Sequence, residues 1–147
     1  MKRRLTALAM ALAAVLAVGL AACSGDGEPT DRGLEALLEA TGHVKVTQNE
    51  ARVLIEDQTN LVILDVRTAF EYSQGHLPNS YNLNYDPATF GTALEGLSRA
   101  ASYLVYGSDS EDYRANAAAD DMATAGVVRV YNLEGGLREW QGDVTVQ

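Results

Sequence analysis

Few residues in this chain are able to act as nucleophile, base or ligand, and their positions narrow the chemistry. Among 147 residues there is one cysteine, Cys23, and there are two histidines, His43 and His76. Sulfur chemistry needs a thiolate, and Cys23 lies at the end of an apolar leader, far from any segment that patterns as a folded core. Asp65 and Arg67 flank Val66 at the end of an apolar run, where a buried charge must find a partner or solvent; a structural ion pair is the reading preferred over a substrate contact. His76 stands between Gly75 and Pro78 in a turn. It reads as a histidine holding that turn rather than as a base, since no nucleophile is near it in sequence. His43 reads as exposed. The richest cluster is Gly107, Ser108, Asp109, Ser110, Glu111, Asp112, Tyr113 and Arg114, directly after the apolar run Tyr103 to Tyr106. A serine there would need an activating base and an oxyanion site, and solvated Asp109 and Glu111 are poor bases. The acids suit the first turn of a helix, with Ser108 and Glu111 spaced as a capping box. They lack the ligand number of a calcium loop. No metal and no cofactor is expected.

The first residues of the chain carry the expectation for its location. Met1, Lys2, Arg3 and Arg4 are followed by an uncharged stretch from Leu5 to Ala22, the pattern of a secretory signal. Leu20, Ala21, Ala22 and Cys23 resemble a bacterial lipobox, in which the cysteine is acylated after cleavage. An uncleaved transmembrane helix is the alternative, because about eighteen apolar residues just span a bilayer. Small residues ahead of a cysteine serve cleavage instead. The expected organisation is a signal peptide over 1–22, a flexible linker over 23–31 beginning at lipidated Cys23, and one domain over 32–147 with its core at 44–140. Localisation is expected to be outside the cytoplasm, held to the membrane by the lipid anchor. Losing Lys2, Arg3 and Arg4 leaves 8 basic residues against 20 acidic ones, a formal charge of −12. So acidic a chain is a poor nucleic-acid binder, and anionic headgroups repel it. Cations or basic protein surfaces remain the permitted partners.

The elements that must position these residues are legible from apolar spacing. Leu34, Leu37 and Leu38 predict a short helix between Asp31 and Gly42. Val44 to Val46 reads as a strand, and Thr47 with Glu50 as a capping box opening a helix through Ala51, Leu54 and Ile55. Leu61 to Val66, Tyr103 to Tyr106 and Val127 to Leu133 are apolar without alternation, as in strands covered on both faces. Between them lie helical patterns at Thr68 to Gln74, after Asp86 with Pro87 at the first helical position, and from Glu111 to Ala125 ending at Gly126. That order predicts an α/β fold with a mainly parallel central sheet and helices on both faces.

From Leu64 to Leu83 the sequence reads L-D-V-R-T-A-F-E-Y-S-Q-G-H-L-P-N-S-Y-N-L. It resembles the first signature of rhodanese-like domains, matching at Asp65, Arg67, Glu71, Tyr72, Gly75, His76, Asn82 and Leu83. Val130, Tyr131, Asn132, Leu133, Glu134, Gly135, Gly136 and Trp140 resemble the second signature. The resemblance implies a three-layer rhodanese-like fold and places the family's catalytic cysteine, which carries a persulfide in active members, at Gly107. It also implies that Asp65, Arg67, Glu71, His76, Gly135, Gly136 and Trp140 are structural parts of the motifs. Without a thiol at Gly107, the family's sulfurtransferase and cysteine-phosphatase mechanisms have no nucleophile. Arg114 stands further from Gly107 than the family's arginine does from its cysteine, so the loop is expected to be reshaped. Asp109, Glu111 and Asp112 are expected to repel anions there. The function expected is therefore a non-catalytic module that recognises another envelope protein. The alternative left open is a sulfur-handling protein using a thiol or persulfide supplied by a partner.

Overall fold

The computed structural model describes residues 42–57 and 59–146. The expected signal segment, Cys23, the expected linker and the helix expected before Gly42 lie outside the described residues. Five strands form one wholly parallel sheet: β1 (Val44–Val46), β2 (Leu61–Asp65), β3 (Ser80–Asn82), β4 (Ser102–Tyr106) and β5 (Arg129–Leu133), in the spatial order β1-β5-β4-β2-β3. The helices are α1 (Gln48–Asp57), α2 (Ala69–Gln74), α3 (Phe90–Leu94), α4 (Tyr113–Thr124) and α5 (Gly136–Glu139). None among the described residues is long and apolar enough to cross a membrane.

The unbroken apolar runs are explained by burial on both faces. Alternate side chains of β4 enter opposite cores: Tyr103 and Val105 pack with Phe90, Leu94, Ala118, Ala119 and Met122, while Leu104 and Tyr106 pack with Val46, Ala51, Leu54 and Leu77. The sheet is thus the middle layer, and β4 lies at its centre with all five residues buried. The loop that leaves β4 is held from both sides by this arrangement.

Local signals act where they were expected at two helix starts. Thr47 and Glu50 form a capping box, with the Thr47 amide donating to Glu50 Oε2 at 2.6 Å. Thr68 and Glu71 form another. Helix α4 ends in a Schellman arrangement, with Gly126 at φ 86° donating to the Ala123 carbonyl and Val127 donating to that of Met122.

Three boundaries differ from expectation, and one strand was not expected. Asp86 and Pro87 open a turn in which Thr89 and Phe90 donate to the Asp86 carbonyl, and the helix starts only at Phe90. Glu111 precedes α4 by two residues, because Asp112 is its cap. Val127 and Val128 precede β5, since their amides are drawn to Met122 and Arg99. Polar Ser80–Asn82 carries no strand pattern, yet it pairs with Ile63–Asp65 as an edge strand.

Candidate functional site

Open parallel sheets place their ligand sites beyond the carboxyl ends of the strands, and here two loops meet there, after β2 and after β4. Beyond β2, Asp65 and Arg67 form a buried ion pair: Asp65 Oδ1 accepts the Arg67 amide at 2.9 Å and its Nε at 3.0 Å. The second guanidinium nitrogen also donates to the Gly75 carbonyl at 2.7 Å. Burial would lower the Arg67 pKa, but the Asp65 hydrogen bonds and charge outweigh it and raise it. The tie to Gly75 draws the end of α2 toward β2. His76 is buried next to it, with Nδ1 2.9 Å from the Tyr72 carbonyl and its ring stacked on Tyr72 at 3.7 Å. Its backbone exchanges two hydrogen bonds with Thr145, so the chain's last described segment straps this turn. Tyr106 closes the floor, its hydroxyl accepting the Leu77 amide at 3.0 Å. Burial, then the charge of Asp65, pushes that phenol's pKa above its usual range.

Beyond β4, Gly107 is buried. Its carbonyl accepts the Leu137 amide at 3.0 Å, and the Ser108 carbonyl accepts that of Arg138 at 2.9 Å. Gly135 and Gly136 make this contact possible. Both have positive φ, 73° and 54°, and a Cβ on Gly136 would lie 2.6 Å from the Gly107 carbonyl oxygen. The loop is therefore pressed against the start of α5. Trp140 packs on the second core, donates to the Asp143 carbonyl and carries Arg52 over its ring at 5.3 Å.

The acids of the loop have different fates. The Asp112 side chain is only 6% exposed. Its carboxylate accepts the Ser108 amide at 2.7 Å, the Arg114 amide at 3.1 Å, and Arg114 Nε and Nη2 at 2.8 and 2.9 Å. Arg114 then reaches across to Glu71, donating to both carboxylate oxygens at 2.8 and 2.9 Å. Ser108 Oγ joins at 3.1 Å from Glu71 Oε1. The Arg114 hydrogen bonds are the largest influence on Glu71, which sits far below the ordinary carboxylate range. Burial raises the Asp112 pKa, and its bonds to Arg114 and Ser108 override that to lower it. Asp109 accepts the Glu111 amide at 3.0 Å and faces Arg138 at 3.4 Å, whereas Ser110 and Glu111 are exposed.

Several expectations change. Ser108 does not pair with Glu111 as a capping box: Asp112 caps α4, and the Ser108 hydroxyl turns to Glu71. One carboxylate at position 112 satisfies two backbone amides and a guanidinium, more donors than a serine hydroxyl accepts. His43 is not exposed, since its side chain is 19% accessible and Nδ1 lies 3.4 Å from Asp120. The link from Glu71 through Arg114 to Asp112 was not expected at all. Its signal was present as a repeated Asp-x-Arg, at 65–67 and again at 112–114.

Beside the loop is a cleft of ≈ 240 Å³, whose lining includes Asp109, Asp112, Glu134 and Glu139 against the single cation Lys45. Such a lining disfavours an anionic substrate. Among the described residues, no His, Cys, Asp and Glu group has the geometry to hold a metal ion.

A family model described as "Rhodanese-like domain" matches residues 47–143. The chain belongs to the rhodanese-like family. Solved structures agree on the fold. A protein from Bacillus halodurans superposes with a TM-score of 0.61 at 20% identity, covering 81% of this chain and 87% of the other. A rhodanese-related protein from Thermoplasma volcanium gives 0.60 at 23% identity, covering 70% and 98%. A rhodanese-like domain protein from Staphylococcus aureus gives 0.56 at 22% identity, covering 70% and 97%. No curated protein matches the chain significantly. The rhodanese-like fold therefore puts Gly107 at the end of its central strand, with Arg114 folded back over the loop that follows.

Proposed function

We propose that this protein is an exported, lipid-anchored rhodanese-like module that recognises a partner protein in the cell envelope and performs no sulfur transfer of its own. The observation that carries the reading is Gly107: the residue leaving the central strand, where active members are understood to bear the thiolate, has no side chain. The acidic cleft supports it, because thiosulfate or phosphate would meet Glu134 and Glu139 there, beside Asp109 and Asp112 whose charges Arg138 and Arg114 engage. A thiol borrowed from a partner would need room above Gly107, and the Asp112 carboxylate takes that room. The anchor rests on the segment from Leu20 to Cys23, and the envelope partner on the anchor and the acidic surface.

The test is thiosulfate-to-cyanide sulfur transfer by the full chain, next to Cys23→Ser and Gly107→Cys. No turnover is expected from the parent or from Cys23→Ser, and weak turnover at best from Gly107→Cys. Turnover above background in Cys23→Ser would refute the non-catalytic reading. Labelled palmitate should enter the parent and not Cys23→Ser, and the variant should leave the membrane fraction. Crosslinking in intact membranes should give one dominant adduct with a protein of the envelope; its absence at native expression would count against the recognition role.

A further inference from the structure

The geometry points to a lock within the loop itself: we propose that the Asp112 carboxylate is an internal anion occupying the space above Gly107, and that residues 107 and 112 form one coupled unit. This rests on the non-catalytic reading above for its meaning, and on separate observations for its geometry. A Cβ placed on Gly107 would lie 2.6 Å from Asp112 Oδ2, 2.8 Å from Cγ and 3.1 Å from its Cβ. No real side chain tolerates such contacts. The space is filled by a carboxylate that is held rather than merely present, with two backbone amides and two guanidinium nitrogens as donors and 6% exposure. Ordinary helix capping needs only the bond to the Arg114 amide. The bond back to Ser108 and the contact with Gly107 go beyond it, and close the loop on itself.

Two consequences follow from shape and charge. Any side chain at 107, cysteine included, evicts the carboxylate from its four donors. Conversely, removing the carboxylate leaves a cavity lined by donors that suits a small monoanion such as formate or acetate, whose size and single charge equal what was lost. The lock therefore keeps external anions out by supplying one in cis. It also predicts that a cysteine restored at 107 alone meets the Asp112 carboxylate instead of open donors.

Full-chain Gly107→Ala, Asp112→Gly and the double variant test this by thermal unfolding. Gly107→Ala should lower Tm by several degrees in the parent, and by much less in the Asp112→Gly background. Asp112→Gly should regain Tm in formate relative to chloride at equal ionic strength, saturably, while the parent and Asp112→Asn show no formate-specific gain. Additive effects of the two substitutions overturn the proposal. So does Gly107→Ala as stable as the parent, a reading that does not require Asp112→Gly to fold. Formate stabilisation equal in the parent also overturns it. These outcomes concern the lock alone, whereas sulfur transfer by Cys23→Ser would instead sink the non-catalytic reading.

Discussion

The loops after β2 and β4 use the same device and arrive at different chemistry. In each, an aspartate accepts the amide and the Nε of the arginine two residues later, Asp65 with Arg67 and Asp112 with Arg114. The first pair is sealed, with side-chain exposures of 0% and 7%, and the leftover donor of Arg67 goes to a neutral carbonyl. The second is only partly sealed, with side-chain exposures of 6% and 18%, and the leftover donors of Arg114 go to a second carboxylate, Glu71, which is 33% exposed. One guanidinium thus serves two acids, and the site as a whole is negative. A sealed neutral pair ties β2 to the end of α2; a triad with excess negative charge ties the β4 loop to α2. The difference teaches that the same Asp-x-Arg spacing makes a neutral strut in one place and a charged link in another, according to what the arginine's remaining nitrogens meet.

If the first pair is the strut, Asp65→Ala should be the most damaging change of all. It strands a buried guanidinium, and the cost of breaking a buried pair is about 3–5 kcal/mol, enough to leave much of the protein unfolded in urea titrations at neutral pH. Asp65→Ala within about 1 kcal/mol of the parent would remove the distinction between the two loops.

Gly136→Ala comes next. Its φ of 54° and the carbonyl 2.6 Å from a Cβ mean that α5 must withdraw from the β4 loop. A loss of about 2–3 kcal/mol is expected, with the Leu137 and Arg138 amides losing hydrogen-exchange protection.

Arg114→Met should cost less, about 2 kcal/mol, because Asp112 and Glu71 lose a charged donor yet part of the site reaches solvent. The test of the comparison is calorimetric: Arg114→Met should destabilise the protein less than Asp65→Ala. The reverse order would show the rim to be the true strut.

Smallest is the effect of acid. The folded-state pKa values of Glu71 and Asp112 are depressed, so both contribute stability above their ordinary values of 4.5 and 3.8 and lose it as pH falls through and below them. The gap between the urea midpoints of the parent and Glu71→Gln should therefore narrow progressively as pH is lowered below 4.5, with most of it still present just below that value. A constant gap at all pH values would mean that Glu71 acts by shape rather than by charge.

Much of the fold is legible in the order of the residues, for physical reasons. Leu61 to Val66 and Tyr103 to Tyr106 are apolar without alternation because the sheet is covered on both faces. Thr47–Glu50 and Thr68–Glu71 close their hydrogen bonds within four residues, so sequence spacing suffices. Ser80–Asn82 escaped because its strand character is imposed by Ile63–Asp65, not by its own residues. The candidate site divides likewise. Its place, after the central strand at Gly107, followed from motif and pattern. The state of its acids did not, because Arg114 joins neighbours 2 and 43 positions away.

What the amino-acid sequence determined by itself is the layered parallel sheet, a single cysteine that precedes the family match at 47–143, and a glycine at the tip of the central strand. These rest on periodicity and on residue identity, which need no partner. What only the tertiary structure decided is that the acids after Gly107 are not one solvated cluster. Packing of the loop against Gly136 folds Asp112 over Gly107, brings Arg114 to Glu71, and leaves Glu111 in water. Charges distant in sequence become partners only when the fold removes the water between them.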